Sequence, residues 1–234
     1  MPGTENVFTG KSLEGLGEPV RRYLDHVLSE GTPLVGGWAV EMKGSIRVGL
    51  KLPFDAWQTL DGSQFTWRAK VPSSRLGLLE VIDSYADGQG GMTGRIFGRK
   101  AFSDTGPDAA RSAATRAVME STMAPATLLT GTGVSWQVIS DHEICFRRPE
   151  VPLAEPVTIR IDDSGRPLEV EAPRWLKEKG DEGALVPFLC RFTGELKLDR
   201  MIVPETMVAG WRRPDFEPFF EARITRVEAS PPQR

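Results

Sequence analysis

Trp38-Ala39-Val40-Glu41-Met42-Lys43-Gly44-Ser45-Ile46-Arg47-Val48 decides how this chain is read. Trp38, Val40, Met42, Ile46 and Val48 alternate with Ala39, Glu41, Lys43, Ser45 and Arg47. A period of two sends successive side chains to opposite faces, so this is a long strand with one dry face. The pattern continues outward. Phe54 to Leu60 is a second strand, and Asp61-Gly62 is a hairpin turn. Phe65, Trp67, Ala69 and Val71 then alternate with Thr66, Arg68 and Lys70. Leu78 to Tyr85 is a fourth strand; Leu78, Leu79, Val81 and Ile82 predict cover on both faces. Asp87 to Gly91 turns the chain into a fifth strand from Met92 to Phe97, and residues 98–106 read as a loop.

Before the first strand the period is helical. Val20, Tyr23, Leu24, Val27 and Leu28 fall on one face, Pro19 suits the first turn, and Gly31 and Pro33 stop the helix. Pro107 to Met123 is Ala-rich and helical, with Arg116 and Glu120 one turn apart. Pro125 interrupts it, and Ala126 to Leu129 form a short second helix. Strands resume at Val134–Val138, Ile144–Phe146, Val157–Ile161 and Leu168–Ala172. Trp175 to Gly183 is a charged loop, and the last strands are Leu189–Leu198, Met201–Trp211 and Phe219–Val227.

The expected fold is therefore α+β, mainly β. It is a large curved antiparallel sheet, a half-barrel of about a dozen strands (11–12), with an N-terminal helix and a central helical segment packed on the concave face. Residues 15–229 form one half-barrel domain, flanked by flexible segments at 1–14 and 230–234. A sheet this large either folds over on itself around a filled core or bends into a part-barrel plugged by helices, and the second shape tends to leave an apolar cavity, an ordinary place for a ligand.

The 234 residues carry 29 Lys+Arg against 32 Asp+Glu, a net charge of −3, which argues against nucleic acid as partner. The uncharged stretch Ser121–Ser140 contains Pro125, Gly131 and Gly133 and is not a transmembrane helix. Met1 to Gly15 lacks the basic and apolar regions of an export signal, so the expected location is cytoplasmic. Cys145 and Cys190 sit among large apolar residues and read as buried free thiols. Gly10-Lys11-Ser12 lacks the upstream glycine of a phosphate loop, and Gly88-Gln89-Gly90-Gly91 is a hairpin turn rather than a nucleotide fingerprint. His26 reads as solvated and His142 as part of a hairpin turn, so no metal site and no cofactor are expected.

The dry faces are rich in large side chains. Trp67, Tyr85, Met92 and Trp136 are the candidate cavity wall, and Arg116 with Asp83 and Glu120 is the candidate holder of a polar head. Three roles stand open for Arg116 and Glu120: an exposed helix pair, a buried structural network, or a functional cluster. The leading expectation is binding of an apolar or amphipathic small molecule. The alternatives are an enzyme using Asp83 or Glu120 as acid or base, and an interaction scaffold pairing through a sheet edge.

Pro19-Val20-Arg21-Arg22-Tyr23-Leu24, the strand with Trp67, Asp83, Gly88-Gln89-Gly90-Gly91-Met92, and the Arg116-x-x-x-Glu120 helix followed by Pro125 form a diffuse pattern, with Trp136 and Trp211 further on. It resembles a bacterial family of uncharacterised proteins, domain of unknown function 6544, from about Glu18 to Val227. The resemblance implies no activity and no catalytic residues. In layout alone, the strand-helix-strand order is similar to the bacterial lipoprotein carriers, half-barrels with helices over an apolar cavity. The chain departs from them in showing no export signal.

Overall fold

The computed structural model describes residues 6–73, 77–130, 133–178, 180–198 and 200–230. Helix α1 (Glu18–Val27) precedes six strands: β1 (Trp38–Val48), β2 (Leu50–Leu60), β3 (Phe65–Ser73), β4 (Gly77–Ala86), β5 (Gln89–Ile96) and β6 (Arg99–Thr105). Helix α2 (Pro107–Met119) and two 3₁₀ segments, Glu120–Met123 and Pro125–Leu129, follow. Seven more strands complete the chain: β7 (Ser135–Ser140), β8 (Glu143–Arg147), β9 (Val157–Ile161), β10 (Pro167–Leu176), β11 (Ala184–Lys197), β12 (Ile202–Arg212) and β13 (Phe216–Ala229).

Among the described residues, all thirteen strands join one sheet in the order β6-β5-β4-β3-β2-β1-β13-β12-β11-β10-β9-β8-β7. Each neighbouring pair is antiparallel. The sheet is thus two meanders sewn together at its centre by β1 and β13. The chain crosses from the β6 edge to the β7 edge through α2. That helix touches β4 and β5 in one half and β9 and β10 in the other. Strands so far apart in the order can meet one helix only if the sheet curves around it.

Local chemistry sets the turns. The Asp61 carboxylate accepts from the backbone N–H of Ser63 and Gln64, both at 2.8 Å, between β2 and β3. Asp87 and Gly88 take φ of 50° and 76° between β4 and β5, the two-residue geometry that matches strand twist. At the sheet centre Gly44 is required by closeness: a Cβ there would stand 2.0 Å from the Glu221 carbonyl. The core lies between sheet and helices. Val20, Tyr23 and Leu24 of α1 and Ala114, Ala117 and Val118 of α2 are fully buried.

Several expectations need correcting. Residues 98–106 contain a strand, β6, rather than a loop. Every β6 residue is exposed, so an edge strand with no dry face offered no alternation to read. Its inclusion takes the count to thirteen. Trp175 and Leu176 continue β10. From Asn6 onward the N-terminal segment packs on the fold: Val7 bridges to Pro33, residues Gly10–Leu13 form a 3₁₀ turn, and Phe8 and Leu13 are buried. Ser230 donates its N–H to Gly37. The remaining terminal residues, 1–5 and 231–234, and the side chain of Leu78 lie outside the described residues. His26 is not free in solvent: it lies partly buried, its Nε2 2.5 Å from Glu195 of β11. His142 sits in the β7–β8 turn, 2.8 Å from Asp163.

Candidate functional site

Cross-strand register builds two inward-facing rows. In the first meander Gln58 pairs with Trp67, Trp67 with Asp83, and Asp83 with Met92, across β2 to β5. In the second, Val170 pairs with Cys190, Cys190 with Ala209, Ala209 with Phe220, and Phe220 with Ile46, across β10 to β13 and β1. Arg116 and Met119 of α2 and Glu120, Thr122 and Met123 of the following turn close over both rows. The cavity between them measures about 150 Å³. Met42, Met92, Met119, Met123 and Met207 all line it, five of the chain's seven methionines. Its half-buried rim includes Ile46, Phe192, Phe219 and Phe220.

Arg116 is the hub of a charged cluster at this cavity. Its Nε donates to Glu120 at 2.6 Å and its Nη1 to Asp83 at 2.5 Å. The second Glu120 oxygen accepts from Gln58 Nε2 at 2.5 Å. The guanidinium also lies 4.5 Å over the Phe65 ring and 5.5 Å from that of Trp67. The cluster is sequestered: the side chains of Asp83, Glu120 and Arg116 are only 7%, 12% and 18% exposed. Burial raises the Glu120 carboxyl above its ordinary value; Arg116 offsets this in part, and the Asp83 charge adds to it. Burial works against the Arg116 cation, and the charges of Glu120 and Asp83 more than compensate. Burial also pushes the Cys190 thiol up, which makes it an inert wall group. Cys145 and Cys190 are both free, the first half-buried.

A second arginine enters from β10. Arg174 donates Nε to the Ser112 carbonyl at 3.0 Å and lies 4.7 Å over Phe188. Burial, with the neighbouring Arg116 charge, pushes it down to about 10.

Of the seven sequence-predicted residues, Trp67, Met92, Asp83, Arg116 and Glu120 meet at the cavity. Of the three roles open for Arg116 and Glu120, the exposed pair is excluded. Tyr85 and Trp136 lie outside the lining of the cavity. Tyr85 is buried beside Phe65 and Gly90, where Ala113 of α2 packs against the sheet. Trp136 stands on the β7 edge strand against Phe146 and Tyr23, ring centroids 5.2 and 6.4 Å away. The expected list omitted Gln58, Arg174 and four methionines. Gln58 and Arg174 were visible as polar residues in an apolar phase: Gln58 follows Phe54 and Ala56 at steps of two, and Arg174 follows Val170 and Ala172.

A wider hollow of about 600 Å³ lies on the outer face, lined by exposed Glu41, Lys43, Asp55, Arg68, Lys70 and Glu80 among others. It is a wet, charge-balanced surface of the sheet. Among the described residues no group of three or more His, Cys, Asp or Glu could hold a metal ion, and no helix is long and apolar enough to cross a membrane.

No curated protein matches the sequence. Three solved structures share the layout loosely. One is a domain described as an outer membrane lipoprotein-sorting protein from Vibrio parahaemolyticus, with TM-score 0.47, 11% identity and 93% of each chain covered. Another is a DUF1329 family protein from Desulfovibrio piger, with TM-score 0.46, 12% identity and 90% of each chain covered. The third is a LolA superfamily protein from Nitrosomonas europaea, with TM-score 0.46 and 8% identity, covering 92% of this chain and 93% of that one. A family model matches residues 6–222, a span that includes every residue of the cavity. The chain belongs to the Family of unknown function (DUF6544).

Proposed function

We propose that the protein binds an apolar or amphipathic small molecule between α2 and the concave face of the sheet. The observation that carries this reading is the cavity itself: about 150 Å³, walled largely by apolar side chains, in a place where helix and sheet could have packed to contact. Interiors normally leave few voids larger than a water molecule. A cavity of this size, apolar over most of its wall, accepts a small apolar group. The five methionines extend that capacity. Unbranched, flexible thioethers re-pack around ligands of different shape, as they do at permissive binding surfaces.

Acid–base catalysis at Glu120 has one observation in its favour, a carboxyl raised by burial inside a cavity. Against it, one Glu120 oxygen is held by Arg116 and the other by Gln58, and Asp83 also bonds to Arg116. Such a network fits a structural tie between helix and sheet better than a base awaiting a proton. Pairing through a sheet edge has less support. The β6 edge is seven residues long and carries Arg99, Lys100 and Asp104, charges that blunt edge-to-edge association.

The test fills the cavity. Ala209 lies at its wall, so Ala209→Phe projects a ring into the space. The wild type is expected to bind the neutral apolar fluorophore Nile red saturably, with one site per chain. The variant, its β-sheet circular dichroism unchanged, is expected to lose that binding by tenfold or more. Equal binding by both proteins places the fluorophore elsewhere and removes the support.

A further inference from the structure

Arg174 occupies the inward phase of β10, two residues after Ala172, and its side chain lines the cavity. It differs from Arg116 in how its donors are spent. Nε is taken by the Ser112 carbonyl of α2, which fixes the plane of the guanidinium. The rings of Phe188 and Trp211, 4.7 and 5.8 Å from the guanidinium carbon, pack against it. Among the described residues no carboxylate makes an ion pair with it, and neither Nη donates to a protein acceptor. The two carboxylates nearest in the cavity, Asp83 and Glu120, are both bonded to Arg116. The Trp67 indole N–H, on the opposite wall, is a further donor without a partner among the described residues.

The charges of Asp83 and Glu120 help to keep Arg174 protonated, but neither carboxylate bonds to it, so its Nη donors are left unspent at the cavity, and an unspent donor there favours a ligand that accepts from it. At about 10 its dissociation still lies well above neutral pH, so the charge persists in the empty protein. A planar guanidinium with its two Nη groups free presents a fork that matches two oxygens of one oxyanion. We propose that Arg174 binds the oxyanion head, carboxylate or phosphate, of an amphiphile whose apolar chain occupies the methionine-lined cavity. This inference rests on the cavity-binding reading and adds to it the charge of the ligand and the residue that recognises it.

Three ligands with the same eight-carbon chain separate the two readings: octanoate, octyl phosphate and the neutral 1-octanol. Titration calorimetry at neutral pH is the readout, on wild type, Arg174→Gln and Arg174→Met. Methionine matches the existing lining and removes the charge with little change in bulk. The wild type is expected to bind at least one of the two anions ten times or more tightly than octanol, and the tighter one names the head. Both variants are expected to lose the preference for the anion, the ratio of anion to octanol affinity falling toward one. The ratio within each protein is the readout, and an unchanged β-sheet circular dichroism spectrum reports that each variant is folded. Equal affinity of the wild type for octanol and both anions overturns the assignment and leaves the cavity reading standing, as does a preference that survives in the variants. Failure of all three ligands to bind the wild type removes the cavity reading, and the Arg174 assignment with it.

Discussion

One guanidinium holds two carboxylates at Arg116. Among the described residues Glu120 and Asp83 both bond to that cation, and Glu120 receives a further donor from Gln58. Removing Arg116 alone would strand two buried charges, the kind of change that costs about 3–5 kcal/mol. The raised Glu120 carboxyl has a sign that can be checked. Its folded value lies above the ordinary 4.5, so the folded state holds the proton more tightly than the unfolded chain. Its contribution to stability is fully present below pH 4.5 and is lost as pH rises through the folded value. Glu120→Gln keeps the shape of the protonated acid and does not titrate. Relative to wild type, the variant should therefore gain stability as pH rises from acid toward neutrality. Urea midpoints at the two ends of that range measure it, and a difference that stays constant across them contradicts the account. The sequence made part of this cluster legible. Asp83 stands in the dry phase between Val81 and Tyr85, and Arg116 and Glu120 share a helix face. The same reasoning, applied to every polar residue in a dry phase, finds Gln58 and Arg174 too. The methionines were harder to separate, because an apolar side chain beside a void looks like one in a filled core.

At the scale of elements, α2 owes its place to small side chains. Ala110, Ala113, Ala114 and Ala117 are all buried, and opposite Ala113 the sheet carries Gly90, where a Cβ would come within 2.8 Å of the alanine methyl. That close seat fixes where Arg116 and Glu120 project. Ala114 is completely buried, so Ala114→Leu overpacks the interface. A loss of about 1–3 kcal/mol is expected in denaturant unfolding, together with weakened Nile red binding as the helix is pushed off its rows. A variant as stable as wild type with full binding would show that the helix seat does not govern the cavity. The elements themselves were legible wherever one face is wet and the other dry, as in β1, β3, β9 and α1. They were illegible where that contrast fails. β6 is exposed on both faces, and the start of the chain is anchored by just a few side chains, Phe8 and Leu13 among them. Trp136 illustrates the converse limit: alternation assigns a face but not a distance along the sheet, so it could not say that β7 is an edge, far from Asp83 in strand order.

For the whole molecule, the decisive feature is the order of connection. Two meanders start at the centre of the sheet and run to opposite edges, and the helical crossover must span the concave side to join them. A crossover short on bulk, laid over so wide a sheet, does not fill it, and the remaining space becomes the cavity. Curvature, crossover and void are one consequence of this topology, and the void is the feature on which the proposed binding turns. Native mass spectrometry before and after incubation with octanoate and 1-octanol tests this most directly. The account predicts a one-to-one adduct, carried from the expression host or formed on incubation, that disappears when the protein is denatured. The bare chain mass under every condition would contradict it.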